Sequence, residues 1–175
     1  SPVRRIVRLS VAVAAAAILV VGLFVGYQYV TLSPEKVFSA NYQAYELSTV
    51  RGTNETTAIE GAYRNKNYTE VIRLHANTPD PTIKNDFLAG AAALELNNLP
   101  QAKLSFNQVI DRNKKENTRI LKDEAEYYLA LTLVRQKEFK AALLLLESMQ
   151  NDPDHIYRAK INDGLLRDVR KLSRR

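Results

Sequence analysis

Residues able to do chemistry are few, and their spacing gives them little to do. The chain holds two histidines and no cysteine. His75 and His155 stand far apart, outside the H-x-x-x-H and H-E-x-x-H spacings that put ligands on one helix face. His75 reads as a half-buried filler between helices, and His155, beside Asp154 at a helix start, as a solvated side chain. Asp123, Glu124 and Glu126 share the first turn of one helix, where carboxylates offset the positive dipole end. A catalytic role would need a second convergent group, and none is apparent. Without cysteine there is no disulfide, no thiolate nucleophile and no Cys-ligated metal. There is also no G-x-S-x-G, P-loop or G-x-G-x-x-G. Gly90-Ala91-Ala92-Ala93 lies within a helical pattern, so it is no phosphate cradle. The expectation is a protein that is not an enzyme, with no cofactor, no metal and no small-molecule substrate.

Charge points to the ends of the chain. Lys and Arg number 25 against 19 Asp and Glu, a formal charge of +6. The excess sits in Arg4, Arg5 and Arg8 and in Arg167, Arg170, Lys171, Arg174 and Arg175. The C-terminal group suits the negative end of a helix, with anionic lipid or an acidic partner as the second reading.

Residues 9–30 (LSVAVAAAAILVVGLFVGYQYV) carry no formal charge. At about 1.5 Å per residue this run reaches about 33 Å, enough for a bilayer core of about 30 Å. Tyr27 and Tyr29 would sit at headgroup level. A cleaved signal peptide would be shorter and end in small residues. The expectation is a transmembrane helix over 9–30 behind a cytoplasmic basic flank, 1–8. The arginines before the span place the N-terminus in the cytoplasm and the rest in the periplasm of a bacterial inner membrane. That topology excludes nucleic acid as a partner and makes the lipid bilayer one. Gly22 and Gly26 form a G-x-x-x-G step suited to helix packing in lipid.

Beyond the span, Ser33-Pro34-Glu35 is a helix start, predicting a helix through about Tyr45. Glu46–Thr53 reads as a connector, so 31–53 forms a membrane-proximal helix and linker. Thr53 or Asn54 should cap a helix through Asn65. Three turns follow, at Lys66-Asn67-Tyr68, Asn97-Asn98-Leu99 and Lys137-Glu138-Phe139. Each second helix then shows Val71, Ala102 or Ala142 three residues on, and His75, Phe106 or Leu146 four beyond. Gly90 and Ala130 put small side chains on the first helices. Small residues where antiparallel helices cross permit close approach, and large neighbours fill the groove. The polar run Asp111–Leu121 should lengthen the second hairpin's loop. A last helix over about His155–Leu172, started by Asp152-Pro153-Asp154, carries Ile161, Leu165, Val169 and Leu172 on one stripe. It should close the end of the array.

Gly90, Leu99, Ala102, Phe106 and Val109, with Ala130, Phe139, Ala142 and Leu146, resemble the tetratricopeptide repeat (TPR). Tyr68, Val71 and His75 match it less closely. With the basic flank and apolar span, the chain resembles single-pass membrane-anchored TPR proteins of Bacteroidota envelopes. The fold expected is therefore all-α: one N-terminal transmembrane helix, then a TPR-like α-solenoid over 54–175. That solenoid has about three helix hairpins and a C-terminal capping helix. The resemblance implies a partner surface on the first helix of each hairpin. Carried over, the register nominates Glu60, Tyr63, Arg64, Lys84, Phe87, Glu95, Tyr127, Leu131 and Arg135. Phe87 and Tyr127 could instead pack between repeats. The family's clamp for peptide carboxylates is not implied, because Glu60, Ala91 and Leu131 stand at its asparagine positions.

The function expected is a non-catalytic scaffold or accessory subunit of a membrane complex, partnered by its other protein subunits. Two alternatives share the architecture. One is a translocon-associated, chaperone-like accessory protein. The other is an anti-sigma-type regulator with a cytoplasmic domain before Ser1.

Overall fold

Three turns in the chain repeat one backbone conformation. Lys66, Asn97 and Lys137 take φ of 55°, 57° and 62°, a left-handed setting that reverses a helix in few residues. At the first two turns the next residue, Asn67 or Asn98, accepts a hydrogen bond from the backbone N–H of Glu70 or Gln101 and so caps the following helix. Local chemistry thus produces the hairpins before any packing is considered.

A computed structural model describes residues 18–22, 26, 32–47 and 57–175. The chain divides into two units, Ser1–Ser33 and Pro34–Arg175. The second contains α1 (Pro34–Asn41), α2 (Ala58–Arg64), α3 (Tyr68–Ala76), α4 (Ile83–Glu95) and α5 (Leu99–Glu116). It continues with α6 (Lys122–Arg135), α7 (Phe139–Asn151), a 3-10 turn (Arg158–Lys160) and α8 (Asp163–Leu172). No strand occurs among the described residues. Helices α2/α3, α4/α5 and α6/α7 form successive hairpins, each packed on the next, and α8 covers α7.

The span expected over residues 9–30 is corrected. Among the described residues no helix is long and apolar enough to cross a membrane. Of that segment, residues 18–22 and 26 are described, and they are helical. Gly22 and Gly26 are helical and exposed, with nothing within 4 Å of a Cβ added at either. The remainder of that segment, the flank 1–8 and most of the connector lie outside the described residues. The single-pass architecture, and the inner-membrane placement built on it, are not carried forward.

Helix packing follows the small-and-large register. A Cβ added to Gly90 would lie 2.7 Å from the Phe106 ring, so the missing side chain is what admits that ring. Ala102, Ala130 and Ala142 are fully buried, as are Phe106, Val109 and Leu146. Burying each large side chain contributes about 1.5–3 kcal/mol. Of the closing stripe, Ile161, Leu165, Val169 and Leu172 are all buried.

Three local expectations are corrected. The polar run after Asp111 is helical to Glu116, and the loop is confined to residues 117–121. Asn113 holds that loop: its amide donates to Val109 O and Ile120 O, and its Oδ1 accepts from Thr118. The last helix starts at Asp163, capped by Asn162, after a 3-10 turn rather than at His155. Helix α1 ends at Asn41 rather than near Tyr45, for a reason found in the site below.

Two glycines separate crossing geometry from helix propensity. Gly90→Ala should destabilise the fold by about 1–3 kcal/mol, because Phe106 is fully buried and must be displaced. Gly61→Ala, in α2 with nothing within 4 Å of the new Cβ, should stabilise it by about 0.5–1 kcal/mol. Thermal unfolding of the two variants checks both signs.

Candidate functional site

The three first helices α2, α4 and α6 place an aromatic layer on one face. Phe87 of α4 lies 5.7 Å from Phe106 and 6.0 Å from Tyr128, and Tyr127 of α6 stacks on Tyr157 at 4.3 Å. Lys160 sits 5.2 Å above the Tyr157 ring. This is the face the register nominated, and the chain's own residues 37–45 cover it.

After α1 the backbone runs without helix from Tyr42 to Leu47. Tyrosine hydroxyls bind alternate carbonyls of this stretch. Tyr127 donates to Asn41 O at 2.7 Å, Tyr128 to Gln43 O at 2.8 Å, and Tyr63 to Tyr45 O at 3.0 Å. Side chains add to the hold. Tyr45 meets the edge of Phe87 at 4.7 Å, and Phe38 stacks on Tyr42 at 4.6 Å. The Arg135 guanidinium lies 4.5 Å over Phe38. The Tyr42 hydroxyl donates to Glu95. A helix continued through Tyr45 would need Asn41 O for the Tyr45 N–H, and the Tyr127 hydroxyl takes that carbonyl instead.

The structure brings together most of the nominated residues. Tyr63, Phe87 and Tyr127 are buried beneath the covering segment, and Leu131 is fully buried. Glu60 and Lys84 pair at 2.9 Å, joining α2 to α4. Glu95 and Arg135 hold Tyr42 and Phe38 respectively. Arg64 remains exposed and lines an open cavity of about 490 Å³ with Tyr45, Leu47, Tyr63, Lys66, Tyr68 and Glu95. A second, of about 180 Å³, lies on the other side among Gln43, Tyr127, Tyr157 and Lys160. Tyr128, Tyr157 and Lys160 escaped the sequence reading, as did the role of residues 38–45. The i, i+4, i+7 spacing of Phe38, Tyr42 and Tyr45 was the available signal.

Burial pushes the phenols of Tyr63, Tyr127 and Tyr128 above their ordinary value of 10.0. Burial, then the Glu95 carboxylate, does the same at Tyr42. Tyr157 is pushed up to about 12, by burial first and Glu124 next. The hydroxyls, protonated at neutral pH in any setting, therefore stay donors above that ordinary value.

Two polar clusters lie elsewhere. His75 Nε2 is 2.8 Å from Asp86 Oδ1, and Arg112 is 3.2 Å from Oδ2. Arg112 also donates to Pro81 O. The cluster ties α3, α4 and α5 together, with both Asp86 oxygens engaged. The second cluster corrects the reading of His155, which is buried at 4% exposure because the turn after α7 folds it inward. Its Nε2 lies 3.3 Å from Glu126, and the His155, Glu126 and Asp123 donor atoms fall within 4.8 Å of one another. The protein itself engages most of these donors, while His155 Nε2 is buried without a hydrogen-bond partner. His155 Nδ1 accepts from the Tyr157 N–H at 3.1 Å, which leaves the proton on Nε2, the nitrogen a metal would need bare. Asp123 accepts from Arg119 and from the Ile156 N–H, and Glu126 pairs with Lys122. The Asp123 carboxyl is raised by burial, yet the Ile156 N–H and Arg119 outweigh this and hold it below 3.8.

Comparison of the chain with protein-family models, with curated proteins and with solved structures finds no match. The site is therefore judged on its geometry.

Two pH dependences follow. The unfolded chain releases its tyrosine protons first, so stability is complete below about pH 10 and falls as pH rises through it. Melting temperatures from about pH 8 to pH 11 should show this fall, flattened in Tyr63→Phe/Tyr128→Phe. Asp123 has the opposite sign: its contribution is present above about pH 4 and lost as pH falls through its lowered value. Asp123→Asn should cost about 1.5–3 kcal/mol at neutral pH, and denaturant midpoints of variant and wild type should converge in acid.

Proposed function

We propose that this chain is a non-catalytic protein-interaction module of the TPR type, serving as a scaffold or accessory subunit of a protein complex. One observation carries the reading. The face built from α2, α4 and α6 holds the end of α1 and the non-helical stretch after it through three tyrosine hydroxyls aimed at backbone carbonyls. Fixed donors at alternate carbonyls are a means of binding peptide, and no group in the layer is placed to break or make a covalent bond. The uneven hairpin lengths and the Val71 crossing set the array apart from a uniform repeat, while the Gly90–Phe106 contact supports the family resemblance.

The chaperone-like alternative gains from the same bonds. Carbonyl-directed hydroxyls accept many side-chain sequences, which suits varied clients. A regulator of the anti-sigma type draws no support from this geometry.

Photo-crosslinking in cells tests the reading. A photoreactive residue at exposed Arg64, beside the aromatic layer, should give discrete protein adducts, whereas one at exposed Lys140 on α7 should not. One or two adducts favour the scaffold and a broad smear favours the client-binding form. Adducts confined to Lys140, or none at either position, would sink the proposal.

A further inference from the structure

We infer that residues 34–47 are a built-in occupant of the peptide site, displaced when a partner protein presents an extended segment bearing aromatic side chains. This rests on reading the α2/α4/α6 face as an interaction surface and names what that surface takes.

Three observations carry it. First, the burial is one-sided. Tyr63, Phe87, Tyr127 and Tyr128 beneath the segment are buried, while within 34–47 only Val37 is. The covering segment therefore has little of its own core to lose. Second, the decisive bonds are made to its backbone. Asn41, Gln43 and Tyr45 offer carbonyls that any extended peptide can supply. Side-chain selection falls to the aromatic contacts: a ring against Phe87, a ring under Arg135, and a hydroxyl to Glu95. Third, the segment leaves room. Open cavities of about 490 and 180 Å³ flank it, walled by tyrosines, by Arg64, Lys66 and Lys160, and by Glu46 and Glu95, the latter already engaged with Tyr42. A ligand with further aromatic or acidic side chains would reach groups the resident segment does not use.

The occupant belongs to the same chain, so it competes intramolecularly at the effective concentration its attachment sets. A partner must exceed that, and an isolated peptide should bind the intact chain poorly.

The test uses the full chain and a fluorescein-labelled synthetic peptide of residues 34–47, read by anisotropy. Phe38→Ala/Tyr42→Ala/Tyr45→Ala, whose own segment has lost its aromatic hold, should bind this peptide about tenfold or more tighter than wild type. Adding Tyr63→Phe/Tyr127→Phe/Tyr128→Phe to that variant should remove the gain. Equal binding by wild type and variant overturns the inference, as does no binding by a variant of native helicity. If the triple variant loses helicity, Tyr42→Phe, which deletes only the bond to Glu95, takes its place and should still bind tighter than wild type. A wild-type dimer exchanging residues 34–47 would make a second copy the occupant and overturn the assignment to another protein. Adducts at Arg64 without peptide binding sink this inference and leave the interaction reading standing. Absence of adducts at Arg64 sinks the interaction reading and this inference with it, even where the peptide binds.

Discussion

The absent side chain at position 90 is the constraint on which the aromatic face depends. Helices α4 and α5 approach closely enough for the Phe106 ring to occupy the place of a Cβ. From there the rings set one another. Phe106 stacks on Tyr128 at 5.9 Å and meets Phe87 at 5.7 Å. Phe87 in turn receives Tyr45, and Tyr128 aims its hydroxyl at Gln43 O. A shift of the crossing by a methyl group would move Phe106, then the rings, then the hydroxyls. Close-packed interiors transmit such shifts rather than absorbing them. The aromatic face is thus an outcome of core packing in the central hairpin.

What that face offers is donors rather than charge. Each neutral hydroxyl–carbonyl bond contributes about 0.5–1.5 kcal/mol net, and each aromatic pair about as much. The charged groups nearby are largely committed within the face: Lys84 to Glu60, Glu95 to Tyr42, Arg135 to the Phe38 ring. A phenol is protonated across the neutral range in any setting, and burial extends that state above the ordinary value of 10.0. A leucine layer would have provided adhesion without direction. Tyrosine adds a fixed hydrogen bond at the rim of a buried ring, and at Asn41 O that bond replaces the one a longer helix would make.

The features legible in the sequence were those decided locally. Turns at Lys66, Asn97 and Lys137 follow from short polar sequences between apolar runs, and the second helices begin at Tyr68, Leu99 and Phe139 as expected. Small and large crossing residues are also a local pattern. The misreadings share a long-range cause. Helical propensity continues past Asn41, yet carbonyls 41, 43 and 45 are claimed by tyrosines from α2 and α6. His155 follows two acidic residues and a proline, which reads as surface, but its ring is enclosed by Glu126 and Tyr157. The run after Asp111 is polar enough for a loop, but Asn113 can fold it into helix only because Thr118 and Ile120 return to meet its amide. Nine groove positions came from a repeat register, which identifies a face. A register carries no information about what covers that face.

Self-coverage also sets a condition on affinity. If residues 34–47 fill the face in nearly all molecules, a partner's apparent affinity falls by the fraction of molecules left open. A strong intramolecular hold would make the face useless, and a weak one would leave four large rings exposed to non-specific contact. Three hydroxyl bonds and a few ring contacts secure the segment, but of its own residues only Val37 is buried. Loss of Tyr45 from the Phe87 edge would free the end nearest the larger cavity first, because Tyr63 and Phe87 are the contacts that hold Tyr45 there. On the reading that the segment is displaceable, a competing peptide entering at that end would meet the Tyr63 hydroxyl and the Phe87 edge before the other contacts.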